Sequence, residues 1–394
     1  MKVMRYPDNK ENFTFKILLE YFAVFSIIIT SGTAIINSIF SLVIAALFII
    51  LYTQKVNLKY IFYAVIIIFI IWINSYILSS LPFDNKEFLV MCARVLGIAI
   101  ITSNITINHF KKFYINIIVL LSINSIIWFS ITKIFKGVVL PFTVFTPKYG
   151  TFYHIIGHTP TNSMGNCGVF WEPGVFQIYI NFAIALLLFD CVRSEKNNIK
   201  LFLLSVTLFT TFSSMGVICF GILLTFAIFN NKIIIKKNLK WFIIIFILLL
   251  IIFEASTGVI RDKIDYDAST GSILSRTDDF IIGWHVISDY PLFGIGIACD
   301  STELYNQYAI KYMMYYKGYS EDLAQSNGLC NMFSSAGIIL GSIYLYNIMK
   351  KSRLFFQFKS KEMIPIYIVL ILFFANEAIM FTPFWIAFLF KWKN

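Results

Sequence analysis

The chain has 394 residues, of which 58% are hydrophobic and 13% charged, against about 25% charged in an ordinary soluble domain. With a mean hydropathy of +0.77, this excludes a soluble fold and makes transmembrane helices, rather than domains, the unit to count. The net charge of +11 comes from short basic clusters between apolar runs, which is the distribution of cytoplasmic loops and not of a nucleic-acid surface.

A polar start with Lys2, Arg5 and Lys10 precedes apolar runs at 15–31 and 33–51, a hairpin that returns to Lys55 and Lys59. The first run is followed at once by the second and lacks a small-residue cleavage site, so no cleavable signal peptide is read and the N-terminus is expected in the cytoplasm. Further spans fall at 60–78, at 88–104 before Lys111 and Lys112, and at 114–132; a first large external loop, 133–172, follows. The span at 173–190 returns to Arg193, Lys196 and Lys200. The segment 201–229 has basic clusters at both ends, so it reads as two short helices joined at Ser213-Ser214-Met215-Gly216.

A span at 241–253 leads into the second large external loop, 254–327, and a helix at 328–348 returns to Lys350, Lys351, Arg353, Lys359 and Lys361. The stretch 363–390 reads as a hairpin of two short helices, with Thr382 as N-cap and Pro383 at the first position of the second. The expected fold is all-α: one polytopic transmembrane domain over 1–394, with about 12 helices (roughly 11 to 13), two large external loops and both termini cytoplasmic. No internal period is visible and the two halves are unlike, which argues against a transporter built from repeats.

The polar chemistry is concentrated in the external loops. Phe170-Trp171-Glu172-Pro173-Gly174 places Glu172 at a helix N-terminus, where a carboxylate serves as a cap and can also face a site. In the second loop, Arg276, Phe280 and Trp284 stand at i, i+4 and i+8, followed by His285 and by Tyr290-Pro291-Leu292-Phe293-Gly294-Ile295-Gly296. A guanidinium with two aromatics on one face suits phosphate and sugar rings; a salt bridge from Arg276 to Asp278 or Asp279 is the structural alternative. Arg94 lies in a span, where it either snorkels to the surface or faces an anionic substrate. Glu377, with Asn376, is a similar case near the outer end of its helix. Arg261 is a further loop cation.

His154 and His158 have i, i+4 spacing, but Gly157 and Pro160 disfavour a helix there, and no metal is assigned. The cysteines Cys92, Cys167, Cys191, Cys219, Cys299 and Cys330 show no metal-ligand spacing; Cys167 and Cys299, both in external loops, leave a disulfide as an option. No phosphate-binding loop, dinucleotide fingerprint or Asp-x-Asp pair is present, so no nucleotide cofactor is expected.

Taken in order, Phe-Trp-Glu-Pro-Gly at 170–174, Ser-Ser-Met-Gly at 213–216, Ser-Arg at 275–276, Tyr-Pro-Leu-Phe-Gly-Ile-Gly at 290–296 and Gln-Ser-Asn-Gly at 325–328 resemble the O-antigen polymerase and ligase superfamily, specifically the Wzy-type polymerases of O-antigen and capsule repeat units. The resemblance implies a metal-independent glycosyltransferase of the bacterial inner membrane. It would move an undecaprenyl-diphosphate-linked oligosaccharide onto the terminal sugar hydroxyl of another lipid-linked repeat unit. On that reading Arg276 and Arg94, with Arg261, bind diphosphate, Glu172 orients or deprotonates the acceptor, and Phe280, Trp284, His285 and Asn327 contact substrate. The bilayer and a polysaccharide chain-length regulator are the implied partners, with no nucleic acid. Members of the ligase branch often carry a histidine just before the Asn that opens the helix after the large loop. Here the segment is Ala324-Gln325-Ser326-Asn327, which favours polymerase over ligase. The Ser-Arg often found at the short-helix junction is Ser213-Ser214. A flippase or transporter of the same lipid-linked unit is the alternative from another class.

Overall fold

The structure, a computed structural model, describes residues 10–33, 39–53, 57–134, 143–146, 151–154, 165–189, 195–229, 272–312, 326–356 and 363–393. A segment that crosses hydrocarbon must satisfy its own backbone N–H and C=O groups, and a helix does so without a neighbour. The apolar runs accordingly form α1 (Lys10–Ile29), α2 (Ile39–Thr53), α3 (Leu58–Trp72, continued by a π turn Ile73–Ile77), α4 (Asn85–Asn104), α5 (Ile107–Ile134), α6 (Pro173–Phe189), α7 (Glu195–Thr210) and α8 (Ser214–Phe229). They continue as α9 (Ser272–Asp289), α10 (Thr302–Tyr312), α11 (Gly328–Phe356), α12 (Ile364–Asn376) and α13 (Pro383–Ile386, continued by a 3-10 turn Ala387–Leu389). Among the described residues, four stretches are long and apolar enough to cross a membrane: Leu58–Ile77, Asn85–Asn104, Ile107–Ile131 and Gly328–Phe356. Ile39–Thr53, Pro173–Phe189, Ser214–Ala227 and Ile364–Asn376 are shorter apolar helices.

The segment 201–229 is two helices, as expected, broken where Phe212 adopts a φ of 50°. Ser213 Oγ accepts the Gly216 N–H at 3.3 Å and so caps α8. Within 133–172 the structure adds one short hairpin to the expected all-α fold: β1 (Thr143–Thr146) and β2 (Thr151–His154) pair antiparallel with Thr143 opposite His154. His154 is thus on a strand, and its partner His158 lies outside the described residues, as do the span expected at 241–253 and Arg261. The disulfide left open between Cys167 and Cys299 is not formed. The last stretch is two short helices, as expected, with Thr382 at the N-cap position and Pro383 at the first position of the second, although the Thr382 hydroxyl bonds Ile379 O at 2.8 Å and does not cap the helix. The chain end then reaches the α4–α5 junction, where Lys393 N–H donates to Thr102 O and Lys393 O accepts the Ile107 N–H, each at 3.2 Å.

Helix α6 is buried on every side from Val175 to Leu186, as an apolar helix without a polar face must be. It packs against α5, α7 and α8. Phe384 of α13 seals one side, its ring 5.3 Å from Tyr114, 5.2 Å from Tyr179 and 5.3 Å from Phe182. Ser31, just past α1, fastens both partners: its Oγ accepts the Phe384 N–H at 2.8 Å and its C=O accepts the Tyr179 hydroxyl.

Helix α11 breaks at Gly337 (φ 68°, ψ 175°), which frees backbone groups that must find other partners. The Pro-Leu-Phe-Gly-Ile-Gly segment supplies them. Ile338 N–H donates to Pro291 O (2.8 Å) and Ile339 N–H to Leu292 O (3.3 Å), while Ser334 O and Ser335 O accept from Ile295 (2.8 Å) and Gly296 (2.9 Å). On the other side the π turn after α3 holds the same segment: Asn74 Nδ2 donates to Phe293 O (2.6 Å), and Asn74 Oδ1 and Ser75 Oγ each accept, at 2.9 Å, from Ile297 and Ala298. The clearances demand glycine. A Cβ on Gly294 would stand 2.4 Å from Ser334 O, and one on Gly337 2.3 Å from Leu292 O. This motif is a wedge between two spans and needs no ligand to explain its glycines.

Candidate functional site at the N-termini of two helices

The start of α6 is set by Pro173 at the first helical position, which leaves Glu172 as the preceding residue with its C=O accepting the Phe176 N–H at 3.2 Å. The Glu172 side chain is half-buried, and Oε1 accepts the Trp171 indole N–H at 3.2 Å. Trp171 is fixed in turn by its own N–H, which donates to Gly32 O at 3.3 Å. Asn166, fully buried, ties the approach to the bundle: Nδ2 donates to Ser125 Oγ (3.1 Å) and Thr210 Oγ1 (3.0 Å), and Oδ1 accepts the Gly168 N–H (2.9 Å).

Gly174 explains what else meets this helix end. A Cβ there would lie 1.9 Å from Glu377 Oε1 and 3.2 Å from Asn376 Nδ2, so the buried Glu377 carboxylate at the end of α12 sits directly against the second residue of α6. An anion at a helix N-terminus is favoured by the exposed N–H groups and the helix dipole. Asn376 Nδ2 also donates to Glu377 Oε1 at 2.6 Å. The same residue receives the start of α11 on its backbone side: a Cβ on Gly328 would lie 2.1 Å from Glu377 O. Two glycines, each opening a helix, thus close on one glutamate.

Asn327 is the N-cap of α11, its Oδ1 accepting the Cys330 N–H at 3.1 Å. Ser326 precedes it and donates both its N–H (3.0 Å) and its hydroxyl to Asp279 Oδ2 of α9. Arg276 lies three residues before Asp279 on that helix, so the α9 turn bearing both is bound to the α11 N-terminus. Helix α10 adds a second tether, the Tyr305 hydroxyl lying 2.6 Å from Ser334 Oγ; burial pushes this phenol above its ordinary range and keeps it neutral.

The structure therefore sets Gly174, two residues after Glu172, and Gly328, next to Asn327, against Glu377, and ties the helix of Arg276 to the adjoining Ser326. It separates other expected members. Arg94 Nη1 donates to Glu87 Oε1 at 3.2 Å and lies 3.3 Å from Met91 Sδ, so its described partners are on its own helix and it reaches back toward the start of α4. That is the snorkelling geometry. His285 stacks on Tyr312 with centroids 3.6 Å apart, and the exposed Phe280 and Trp284 stack on each other at 6.5 Å. At the α7–α8 junction, Gly216 O accepts from Asn181 Nδ2 (3.0 Å), which also donates to Gln177 Oε1 (3.0 Å), so the conspicuous Ser-Ser-Met-Gly is a packed, capped turn.

The sequence marked Glu377 as a carboxylate near the outer end of its helix and Asp279 as an alternative partner of Arg276, but placed neither beside Glu172 or Asn327. Their signal was indirect: the glycines of Trp-Glu-Pro-Gly and Ser-Asn-Gly mark close approach, but nothing local names the approaching residue. Chemically, a carboxylate at the head of α6 can orient or accept the proton of a hydroxyl. A guanidinium belonging to α9 can offset the charge of an anionic leaving group.

Residues 199–345 match the family model described as O-antigen ligase, in agreement with the O-antigen polymerase and ligase superfamily. That family comprises glycosyltransferase-like enzymes, ligases and polymerases, that act on lipid-linked glycans in the membrane. The matched stretch runs from α7 into α11 and contains the Ser213–Gly216 junction, Arg276, the wedge and the Asp279–Ser326 tether; Glu172 and Glu377 lie outside it. The chain has apolar helices, four of the described ones long and apolar enough to cross a membrane, and a stretch similar to the O-antigen ligase family. No curated protein matches the chain.

Proposed function

We propose that this protein polymerises undecaprenyl-diphosphate-linked oligosaccharide repeat units of O-antigen or capsule at the external face of a bacterial inner membrane. On this reading the chain crosses the bilayer about twelve times, with both termini in the cytoplasm and 133–172 and 254–327 outside. The supporting observation is the cluster at one end of the bundle. The helix start next to Glu172 and the N-terminus of α11 meet Glu377, and the turn of α9 that carries Arg276 is tied to Ser326; part of this falls within the stretch matched to O-antigen ligase.

The step is a displacement at the anomeric carbon. The terminal hydroxyl of the acceptor repeat unit forms the new C–O bond, and its proton passes to Glu172 or to solvent. The bond from the anomeric carbon to the diphosphate oxygen breaks, and undecaprenyl diphosphate leaves with the electron pair. Arg276 offsets the charge that grows on that oxygen, an interaction that strengthens in the transition state and so accelerates the step. No metal is invoked. A chain-length regulator is the partner this reading implies.

The family description itself favours a second reading, ligation of finished polymer to a final acceptor. Against it stand Gln325 and Ser326 ahead of Asn327, neither of which serves as a base. Deletion of the gene with analysis of extracted surface polysaccharide decides between them. A polymerase leaves a single capped repeat unit, restored to a ladder by wild type and not by Arg276→Ala at normal protein abundance. A ladder that persists on the lipid carrier identifies a ligase, and complete loss of externally exposed repeat units identifies a flippase.

A further inference from the structure

Helix α9 has two apolar faces with different surroundings. Ile282 and Val286 are buried with Ile295, Tyr305 and Ala309 in a small core beneath α10. Phe280, Ile281 and Trp284 of the same helix are instead 54%, 38% and 59% exposed. A third side is polar and turned to α10, with Asp289 accepting the Tyr308 hydroxyl and His285 on Tyr312. Large aromatics left bare on a helix outside the long spans call for something apolar to cover them.

What adjoins them says what that is. Leu292 and Phe293, 57% and 36% exposed, follow directly after α9. Their carbonyls are bound by Ile339 of α11 and by Asn74 at the end of α3. Both belong to stretches long and apolar enough to cross a membrane, and both expose large apolar residues at this level: Tyr76 and Ile77 on one, Ile338 and Ile339 on the other. The bare face of α9 therefore continues the surface that those spans turn to lipid.

We propose that α9 is an interfacial helix, lying along the bilayer surface with Phe280, Ile281 and Trp284 among the lipid chains and the side facing α10 in water. Tryptophan and phenylalanine on such a face, opposite polar residues, are what a helix in the interface plane requires. The occupant of the face is phospholipid, and not sugar rings or a second copy of the chain. Under the polymerase reading, on which the lipid contact itself does not depend, Arg276 is four residues before Phe280 and is set near headgroup depth. A diphosphate joined to a lipid presents its charge at that depth.

The test uses the full chain in nanodiscs of phosphatidylethanolamine and phosphatidylglycerol, doped with a phospholipid that carries a diazirine near the glycerol end of one acyl chain. After irradiation, adducts are mapped by mass spectrometry. The expected result is labelling within 280–284 and at Leu292, within several-fold of the labelling at Ile343 and Tyr346, which are bare on the α11 span. Labelled Ile343 and Tyr346 with unlabelled 280–292 would overturn the proposal, as would a chain-to-chain crosslink through α9. Addition of purified repeat-unit oligosaccharide that removes the label would assign the face to glycan and overturn it too. Labelling needs no turnover, so its result and that of the polysaccharide analysis stand or fall separately.

Discussion

Gly174→Ala tests the packing that holds the cluster together. Alanine is the better helix former by up to about 1 kcal/mol, so propensity alone forecasts a more stable protein. The new methyl, however, would occupy a point 1.9 Å from Glu377 Oε1 and 2.9 Å from Glu377 Cδ, which no side-chain pair tolerates. The carboxyl cannot swing away cheaply: Glu377 is 3% exposed, Asn376 Nδ2 bonds it at 2.6 Å, and Gly328 is pressed against its backbone. Forcing extra volume into such a site costs about 1–3 kcal/mol, and the bare 1.9 Å approach puts Gly174→Ala at the upper end, so a net loss of up to about 2 kcal/mol remains after the propensity gain. Thermal unfolding of the protein in nanodiscs reads this directly. A double-mutant cycle with Glu377→Ala assigns it, because removal of the carboxylate should abolish most of the penalty and give a coupling of about 1–2 kcal/mol. A Gly174→Ala protein that melts above wild type, or an equal penalty with and without Glu377, would refute the contact and with it the cluster.

Gly337→Ala combines a φ of 68° with a Cβ 2.3 Å from Leu292 O, a backbone clash that no rotamer relieves; membrane abundance should fall several-fold on immunoblots. Asp279→Ala leaves the Ser326 N–H and hydroxyl without that acceptor and should cost about 1–3 kcal/mol, with polymer yield falling further than in Ser326→Ala. Arg276→Ala should abolish the ladder at normal abundance, and Arg276→Lys should restore it only in part, since an ammonium cannot grip a diphosphate bidentately. Arg94→Ala breaks a partly exposed pair with Glu87 and should cost no more than about 1 kcal/mol while ladder length is unchanged.

The breaks that local residues cause were legible in the sequence. Ser213 to Gly216 contain a cap and a glycine, and the basic clusters on both sides of 201–229 required a return. The break at Gly337 was hidden, because it depends on Pro291–Gly296, far away in sequence, to supply the partners of the freed backbone. Read locally, Ser334 to Gly341 is only an apolar helix. The β hairpin had a signal, Thr-Val-Phe-Thr and Thr-Phe-Tyr-His on either side of Pro147-Lys148-Tyr149-Gly150, alternation rich in β-branched and aromatic residues. It was outweighed by the apolar composition of the whole chain. Glu172 announced itself as a residue at a helix start. That Glu377 meets both Gly174 and Gly328 required knowing where α12 ends, and no spacing in the sequence encodes that.

The tethers on α9 and α10 all end on the part of α11 before its break. Asp279 binds Ser326, Tyr305 binds Ser334, and Ile295 and Gly296 bind the carbonyls of Ser334 and Ser335. The described residues 272–312 are thus built onto the segment 326–335, and the wedge supports that segment from the far side. The same segment begins at Gly328 against Glu377, and Glu377 begins α6 through Gly174. From the α9 turn at Asp279 to the start of α6 the path runs through Ser326 and Glu377 along two helix ends. A site meant to stabilise charge in a transition state gains from this, because groups already held in place need not reorganise when the charge appears. Under the polymerase reading the glycines matter to function for the same reason they matter to packing: each removes a side chain from a point where two helix ends must touch, and any widening there moves Glu172 relative to the helix that carries Arg276.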